Sequence, residues 1–183
     1  MLNLLLMRHA KSSWSDTSLD DFHRPLNKRG RKAVPQMARW MKHNGYGADL
    51  ALISSAQRTR STFKLLKHAG VEVGASRKLQ RLYLASSAEL LQIIRTSEAD
   101  VKTLLLIGHN PGLHILLKSL ISADEAVTDG SFYSKFPTSA FAHVTFNAAA
   151  WSDVAPSGGK LYRYMTPKRL SSQEYSLDDY LDR

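Results

Sequence analysis

The sequence predicts a three-layer α/β/α fold with a mostly parallel central sheet and an antiparallel addition near the C-terminus. Short apolar runs alternate with stretches of helical periodicity over most of the 183 residues, as in parallel sheets that helices cover on both faces. The runs at 3–7 and 103–107 contain no polar alternation, which is typical of strands buried on both sides. Alternating patterns at 140–146 and 160–165, separated by a Pro-Ser-Gly-Gly turn, predict the antiparallel hairpin.

The elements before the hairpin alternate strand and helix, and capping residues set several of their ends. Asn27 can cap a helix that Asn44-Gly45 ends, with Pro35 inside it, and Ser86-Ser87 can cap a later one. Residues 10–26 form a long polar loop, and loops of this length tend to be functional. The predicted order is strand 3–7, loop 10–26, helix 28–43, strand 49–55, helix 56–69, a short peripheral strand 71–73, helix 88–96, strand 103–107 and helix 111–120.

Composition indicates one domain over residues 1–183, with a tail from about residue 167 that can fray and that carries Asp178, Asp179 and Asp182. The hydrophobic fraction of 43% and the charged fraction of 22% are ordinary for a globular protein. The absence of cysteine excludes disulfides, thiolate metal sites and a cysteine nucleophile. The first apolar run is too short for a signal peptide, and no run spans a membrane, so we expect a cytoplasmic protein without a membrane partner.

The chain is basic, with a formal net charge of +9. A basic surface attracts polyanions such as nucleic acid, acidic membranes and phosphorylated substrates, although it can also be a solvated face with no partner. The cations are dispersed apart from one cluster, which consists of Arg24, Lys28, Arg29, Arg31 and Lys32. Nucleic acid is not the expected partner, because no run interleaves aromatic residues with glycines as in RNA-binding sheets.

Two buried strands end in a histidine, and this repetition predicts an anion site. Arg8 and His9 follow the first strand, and His109 follows the strand at 103–107. Strand ends in open α/β sheets are where ligands bind. Arg58 lies in the first turn of a helix, where the dipole disfavours a cation unless an anion sits between them. Arg24, from the long loop, is a further candidate, and we expect these side chains to surround a phosphate.

A histidine among arginines can act as a nucleophile toward phosphorus. Neighbouring positive charge disfavours the protonated imidazole, and the neutral ring keeps a nitrogen lone pair that can attack. Arginine forks bind phosphoryl oxygens and stabilise the charge of the transition state. This chemistry requires no metal and no cofactor, and the sequence contains no phosphate-binding GxxxxGK[ST] loop, HExxH pair or carboxylate cluster that would suggest one.

These residues carry a resemblance to a known family. Met7-Arg8-His9-Ala10 resembles the Arg-His-Gly signature of the histidine phosphatase superfamily. Residues 54–62, with Ser54-Ser55-Ala56 ahead of Arg58, resemble its second arginine motif, and Gly108-His109-Asn110-Pro111 resembles its second histidine motif. The stretches 21–26 and 28–30 are similar to the SixA-type phosphohistidine phosphatases, a branch with little lid. Four motifs in the right order are much more specific than any one of them.

The resemblance covers residues 1 to about 166 and implies a phosphoglycerate mutase-like fold. It also implies roles: His9 is the nucleophile that becomes a phosphohistidine intermediate, while Arg8, Arg58 and Arg24 hold the phosphoryl group. His109 then binds a phosphoryl oxygen from the opposite side. The activity implied is that of a metal-independent phosphatase, a hydrolase.

Two departures from the family pattern bear on substrate. Ala10 replaces the usual glycine, so the backbone there must accept a Cβ atom. The acidic proton donor of the larger branches has no clear counterpart near Leu82-Tyr83-Leu84, and Asp21 is the best local candidate for that role. An alcohol leaving group needs a proton from a general acid, worth about 10²–10⁴-fold, whereas a protonated imidazole leaves readily without one. A site without a strong acid therefore favours phosphohistidine as the substrate.

Three functions stay open at this point. The first is removal of phosphate from phosphohistidine on a phosphorelay or phosphotransfer protein, which we favour. The second keeps the site but gives it a small phosphomonoester metabolite. The third is a non-catalytic basic module that binds anions or nucleic acid, and it leaves the paired strand-end histidines unexplained.

In the loop, His23 is a further candidate near the site, and Trp14 is expected to pack more than to line the entrance. The oligomeric state is not indicated.

Overall fold

The central sheet has six strands, and helices pack on both of its faces. The computed structural model describes residues 1–122 and 131–172. The strands are β1 (Leu2–Arg8), β2 (Ala48–Ser54), β3 (Val73–Leu79), β4 (Thr103–Gly108), β5 (Phe141–Phe146) and β6 (Gly159–Met165). The helices are α1 (Lys28–His43), α2 (Gln57–His68), α3 (Ser87–Arg95), α4 (Gly112–Leu120), α5 (Ser131–Ser134) and α6 (Pro167–Ser171).

The order of the strands brings the ends of β1, β4 and β2 to one edge of the sheet. The sheet runs β3-β2-β4-β1-β5-β6, with the first four strands parallel and the last two added antiparallel. Arg8 stands opposite Gly108, and Ile53 stands opposite Ile107. The carboxyl ends of three neighbouring strands therefore lie side by side. The expected fold class, with its antiparallel C-terminal hairpin, is confirmed.

The apolar run of β1 has no polar alternation because both faces of the strand are covered. Leu4 and Leu6 pack into the core that α3 and α4 share, while Leu5 and Met7 pack into the core under α1 and α2. All four side chains are at most 1% exposed. Successive side chains of a strand point to opposite faces, so a central strand must be apolar at every position.

The predicted helix ends agree with the structure to within one or two residues. The Asn27 side chain accepts a hydrogen bond from the Gly30 amide at 2.9 Å, and α1 begins at Lys28 as expected. Gly45, with a φ of +70°, follows the C-terminal cap. Ser86 and Glu89 form a capping box at the start of α3. These local signals worked because the capping side chains are close in sequence to the amides they satisfy.

Three expectations for individual segments need correction. The third strand does not cover 71–73 but begins at Val73 and runs to Leu79. It is an edge strand with mostly exposed side chains, so it lacks the apolar pattern that would have extended it. Residues 131–134 form α5 in a stretch where no element was expected, and 167–171 form α6, with Thr166 as its cap, where fraying was expected. Asp178, Asp179 and Asp182 lie outside the described residues.

The helices in the described ranges were also compared with a membrane span, and none of them combines the length and the apolar character that crossing a bilayer requires.

Candidate active site

The two strand-end histidines face each other at the edge of the sheet. The His9 amide donates to the Gly108 carbonyl at 3.1 Å, which continues the β1–β4 pairing past the end of β1. His109 follows the end of β4, and the centroids of the two imidazole rings are 5.0 Å apart. His9 is 8% exposed and His109 is 3% exposed. Parallel pairing in this register therefore brings together two side chains that are 100 positions apart in the chain.

Arg58 lies between the two histidines and contacts both. Its Nε donates to Nε2 of His9 at 3.3 Å, and its Nη2 donates to Nδ1 of His109 at 3.2 Å. The first turn of α2 holds Arg58 in place, because the Thr59 hydroxyl donates to the Ser54 carbonyl at 2.6 Å. Arg58 is only 3% exposed, so the guanidinium points into the site and not into solvent.

The hydrogen bonds of each imidazole define where its proton lies. Nδ1 of His9 is 2.8 Å from the Ala10 carbonyl oxygen, which can only accept, so Nδ1 carries the hydrogen and Nε2 keeps its lone pair. His109 has the opposite tautomer: Nδ1 accepts from Arg58, and Nε2 donates to the Ser54 hydroxyl at 2.7 Å. His9 therefore presents a lone pair at Nε2, next to Arg58.

Both histidines are held neutral. Burial, together with the charges of Arg58 and Arg8, lowers the pKa of His9 to about 3, against the opposing effect of the Ala10 hydrogen bond. Burial also lowers the pKa of His109 to about 3, and neighbouring His9 and Arg58 act in the same direction. Neither ring is protonated at neutral pH, so the lone pair of His9 is not lost to a proton.

The long loop supplies Arg24, which is 5% exposed and donates a hydrogen bond from each of its three guanidinium nitrogens. Its Nε donates to the Ser13 carbonyl at 2.8 Å, and its two terminal nitrogens donate to the Ser12 hydroxyl and to the Asp21 carboxylate. The ring of Trp14 stacks on the guanidinium, with 3.0 Å between Cζ and the ring centroid. Trp14 is itself 76% exposed and lines the mouth of the cleft, so the expectation that it mainly packs is wrong.

Asp21 bridges the arginines and does not lie free in the loop. Its carboxylate accepts from Arg24 at 2.8 Å, from Arg58 at 2.8 Å and from the Tyr83 hydroxyl at 2.7 Å. Partial burial raises the pKa of Asp21, but the hydrogen bonds from Tyr83 and Arg58 outweigh burial and hold the pKa below its usual range. The carboxyl is therefore ionised at neutral pH. An ionised carboxylate has no proton to give, which disfavours the proton-donor role suggested for Asp21.

Sequence reasoning missed Tyr83, whose hydroxyl reaches Asp21 and whose ring lies edge-on to His109 at 5.5 Å. The stretch Leu82-Tyr83-Leu84 drew attention only as a place to look for an acid. His23, a candidate from the loop, pairs with Asp20 at 2.9 Å and does not line the cleft. The tyrosine could not have been found from a motif, since its contact with Asp21 joins residues 62 positions apart.

A second missed segment, residues 136–139, forms the far wall. The Phe136 carbonyl accepts from Nη1 of Arg8 at 3.0 Å and from the side-chain Nδ2 of Asn110 at 2.9 Å. The Ser139 amide donates to the carbonyls of Arg8 and His9, at 3.1 and 3.2 Å. Ser139 adopts a φ of +61°, an unfavourable value for a residue with a side chain, and is 1% exposed. The hydrogen bonds of residues 136–139 therefore hold the backbone at Arg8 and His9 in place.

Ala10, the departure from the glycine signature, fits without strain. Its backbone is not among the left-handed conformations of the described non-glycine residues, which are those of Leu84, Ser139 and Ser157. The side chain is completely buried in the core under α1, and the Ala10 amide donates to the Thr62 hydroxyl at 3.0 Å. The Cβ atom therefore adds apolar contact where the family pattern has a glycine.

All six predicted site residues line one cleft of about 640 Å³. Nε of Arg8 is buried there and has no hydrogen-bond partner among the described residues, so it is available to an anion. No group of three or more His, Asp or Glu side chains in the described ranges could hold a metal ion. The lining residues are Arg8, His9, Lys11, Ser12, Trp14, Asp21, Arg24, Arg58, Leu84, His109, Asn110, Pro137 and Thr138.

Comparisons with a family model and with solved structures both relate this chain to histidine phosphatases. The family model of the histidine phosphatase superfamily (branch 1) matches residues 4–85. An uncharacterized protein of Mycobacterium tuberculosis is 36% identical over 165 residues, which is 88% of this chain and 100% of that protein.

Two solved structures, both assigned as SixA phosphohistidine phosphatases, superpose over 91% of this chain at 27% identity. The one from Nakamurella multipartitia has a TM-score of 0.78 over 96% of its length, and the one from Agrobacterium tumefaciens has 0.74 over 98%.

Proposed function

Because this chain belongs to branch 1 of the histidine phosphatase superfamily and is a phosphatase of the SixA type, we propose that it removes phosphate from phosphohistidine on another protein. The observation that carries the proposal is the pairing of an unprotonated His9 with a cleft in which no carboxylic acid among the described residues is able to donate a proton. The first feature supplies a nucleophile for phosphorus, and the second selects the leaving group.

In the first step, Nε2 of His9 attacks the phosphorus of the substrate. The new bond joins Nε2 to phosphorus, and the bond from phosphorus to the nitrogen of the substrate's imidazole breaks. Nδ1 of His9 keeps its hydrogen, which stays hydrogen-bonded to the Ala10 carbonyl oxygen. The phosphorylated ring is therefore cationic and is itself a good leaving group. In the second step, water attacks phosphorus, phosphate leaves with one proton passing to solvent, and His9 regains its lone pair.

The remaining side chains of the cleft are proposed to bind and orient the phosphoryl group. Arg8 offers a buried Nε without a partner among the described residues, and Arg58 is within hydrogen-bonding range of Nε2, where the new bond forms. Charge-assisted hydrogen bonds from arginine stabilise the negative charge on phosphoryl oxygens. His109 lies opposite His9, and Arg24 adds positive charge from the loop.

Asp21 is proposed as a positioning residue and not as the acid. It holds Arg24 and Arg58 through both carboxylate oxygens, and Tyr83 fixes the carboxylate in turn. Asp21 is the sole carboxylate among the described residues that line the cleft. The described part of the cleft thus lacks the general acid that an alkoxide leaving group needs, whereas the imidazole of a protonated phosphohistidine leaves as a neutral ring.

The mouth of the cleft supports a protein substrate over a small metabolite. Trp14 and Leu84 line it and are 76% and 53% exposed. Large apolar side chains at the edge of a polar site offer contact area to a second macromolecule. Both SixA structures compared above, which are assigned as phosphohistidine phosphatases, also support this choice.

The test compares kcat/KM for a histidine-phosphorylated protein with kcat/KM for a panel of phosphomonoesters that includes sugar phosphates and nucleotides. The proposal expects a preference for the P–N substrate of at least about 10²-fold, since the missing acid penalises only the esters. A strong preference for one monoester would instead support a phosphatase of a small metabolite. Binding of anions without turnover of any substrate would contradict both enzymatic functions.

A further inference from the structure

We propose that a basic surface beside the cleft docks an acidic face of the phosphorylated protein. This surface consists of Lys11, Arg29, Lys32 and Lys168, and we call it the basic rim. The inference rests on the proposed function, because the docked face must belong to the protein that carries the phosphohistidine. It also gives a role to the charged cluster at the start of α1, which the chemistry of the cleft does not use.

The basic rim is exposed and electrostatically unbalanced. Its four cations come from the segment after β1, from α1 and from α6, and they line a groove of about 350 Å³. All four side chains are exposed, and no carboxylate is among the described residues that line the groove. None of the four forms an ion pair with any residue in the two described ranges. Their charge is therefore available to a partner.

The groove is continuous with the cleft. Lys11, Pro137 and Thr138 line both of them. The start of α1 also packs directly on the segment that follows His9, since the Asn27 amide donates to the Lys11 carbonyl at 3.0 Å. A Cβ atom at Gly30 would lie 2.3 Å from the Lys11 carbonyl oxygen, so a glycine is needed for this approach. A protein whose phosphohistidine enters the cleft therefore lies across the basic rim.

The chemistry of the rim fits a protein face better than a single small anion. Three of its four cations are lysines, which act as flexible, solvated point charges and do not form a fixed fork around one phosphate. Exposed charges of this kind attract an oppositely charged surface over about 8 Å at physiological salt. Nucleic acid is less suited, because no aromatic side chain is among the described residues that line the groove, and none is therefore available there to stack on a base.

The basic start of α1 can be neutralised without loss of the fold. Lys28, Arg29, Arg31 and Lys32 all lie in the first five residues of the helix, and the first turn contains no acidic residue. Cations at this end oppose the helix dipole, so uncharged replacements remove a small repulsion. The double variant Arg29→Gln/Lys32→Gln should fold at least as stably as the wild type, which makes it a clean probe of the rim.

The experiment measures kcat/KM for three substrates: a histidine-phosphorylated peptide with acidic flanks, the same peptide with neutral flanks, and phosphoramidate. The wild type should prefer the acidic peptide about fivefold at low salt, and the preference should vanish in high salt. Arg29→Gln/Lys32→Gln should lose that preference and hydrolyse phosphoramidate at the wild-type rate. The matched control, Lys64→Gln/Lys78→Gln, removes two exposed cations from another groove and should keep the preference.

Each outcome has a distinct meaning. An acidic-peptide advantage that survives in Arg29→Gln/Lys32→Gln, or that is lost equally in the control, overturns the docking proposal and leaves the proposed function intact. Failure of the wild type to hydrolyse any of the three P–N substrates contradicts the proposed function itself. Inhibition of the wild type, but not of the double variant, by an oligonucleotide more strongly than by an acidic peptide would identify nucleic acid as the occupant and overturn the proposal.

The chain's own carboxylates beyond residue 172 provide a second check. Replacing Asp178, Asp179 and Asp182 by Asn in the full chain should leave the turnover of phosphoramidate and the peptide preference unchanged. A faster turnover of the acidic peptide alone, with phosphoramidate unchanged, would show that the tail competes for the rim, and the rim would then be an internal contact and not a docking surface.

Discussion

Two regions of the molecule are cationic: the basic rim and the floor of the cleft, where Arg58 contacts His9 and His109. They differ in burial and in the partners of their charged groups. Arg58 is 3% exposed and donates to His9, His109 and Asp21, so its direction is fixed by partners. Lys32 and Lys168 of the rim are exposed and have no ion-pair partner within the described ranges. Fixed, buried charges can stabilise one transition state, whereas free, solvated charges can only attract. The net charge of the protein therefore does not indicate which cations belong to the cleft and which belong to the docking surface.

The largest effect is expected at the floor. His9→Ala removes the proposed nucleophile, so kcat/KM for a phosphohistidine peptide should fall by about 10⁴-fold or more. His68→Ala, an exposed histidine at the end of α2, is the matched control and should retain full activity. Circular dichroism of both variants would verify the fold. Turnover by His9→Ala within tenfold of the wild type would eliminate His9 as the nucleophile.

Arg58→Lys tests whether direction matters more than charge. Lysine keeps the positive charge but cannot contact His9, His109 and Asp21 together, so kcat should fall by about 10²–10³-fold, as when an oxyanion donor is lost. Arg60→Lys, two residues further along α2 and exposed, makes the same chemical change outside the cleft. Equal losses in the two variants would show that the fixed geometry of Arg58 has no special role.

Asp21→Asn separates a positioning role from an acid role. Loss of the carboxylate loosens Arg24 and Arg58, and we expect about a tenfold loss of kcat/KM for P–N and ester substrates alike. A general acid would give a loss of about 10²–10⁴-fold that is confined to esters. Asp20→Asn is the control, since the Asp20 carboxylate pairs with His23 and does not line the cleft. An ester-specific loss in Asp21→Asn would restore the acid role.

The smallest expected effect is that of pH on the ionisation of the two histidines. Because the pKa of His9 and the pKa of His109 are both lowered to about 3, NMR of the imidazole nitrogens should show no titration of either ring between pH 8 and 5. A titration of His9 near pH 6.5 would contradict the neutral nucleophile.

The same lowered pKa values predict how stability depends on pH. The unfolded histidines, with an ordinary pKa near 6.5, bind protons that the folded rings do not. The contribution of these two rings to the free energy of unfolding is therefore complete above about pH 6.5 and falls as pH drops toward 3. Urea denaturation between pH 7 and 4 measures this, and a stability that rises on acidification would contradict it.

The sequence predicted those parts of the site that strand ends and local caps encode. Arg8, His9 and His109 were found because each lies just after an apolar run, and Arg58 because a cation in a first helical turn is unusual. Tyr83 and the wall at 136–139 were missed because their contacts depend on packing between distant segments, without a local pattern. The role of Asp21 changed for the same reason, since its ionisation depends on Tyr83 and Arg58. The sequence predicted only residues 71–73 as the edge strand, because the exposed side chains of β3 form no apolar pattern.

The most direct test of the central claim is to trap the phosphoenzyme with a P–N donor and determine where the phosphoryl group is attached. The structure predicts an acid-labile, alkali-stable adduct on His9, attached to Nε2, because Nδ1 carries the hydrogen that the Ala10 carbonyl accepts. Mass spectrometry locates the residue, and ³¹P–¹H correlation NMR distinguishes the two ring nitrogens. An adduct on any other residue, or on Nδ1 of His9, would contradict the account.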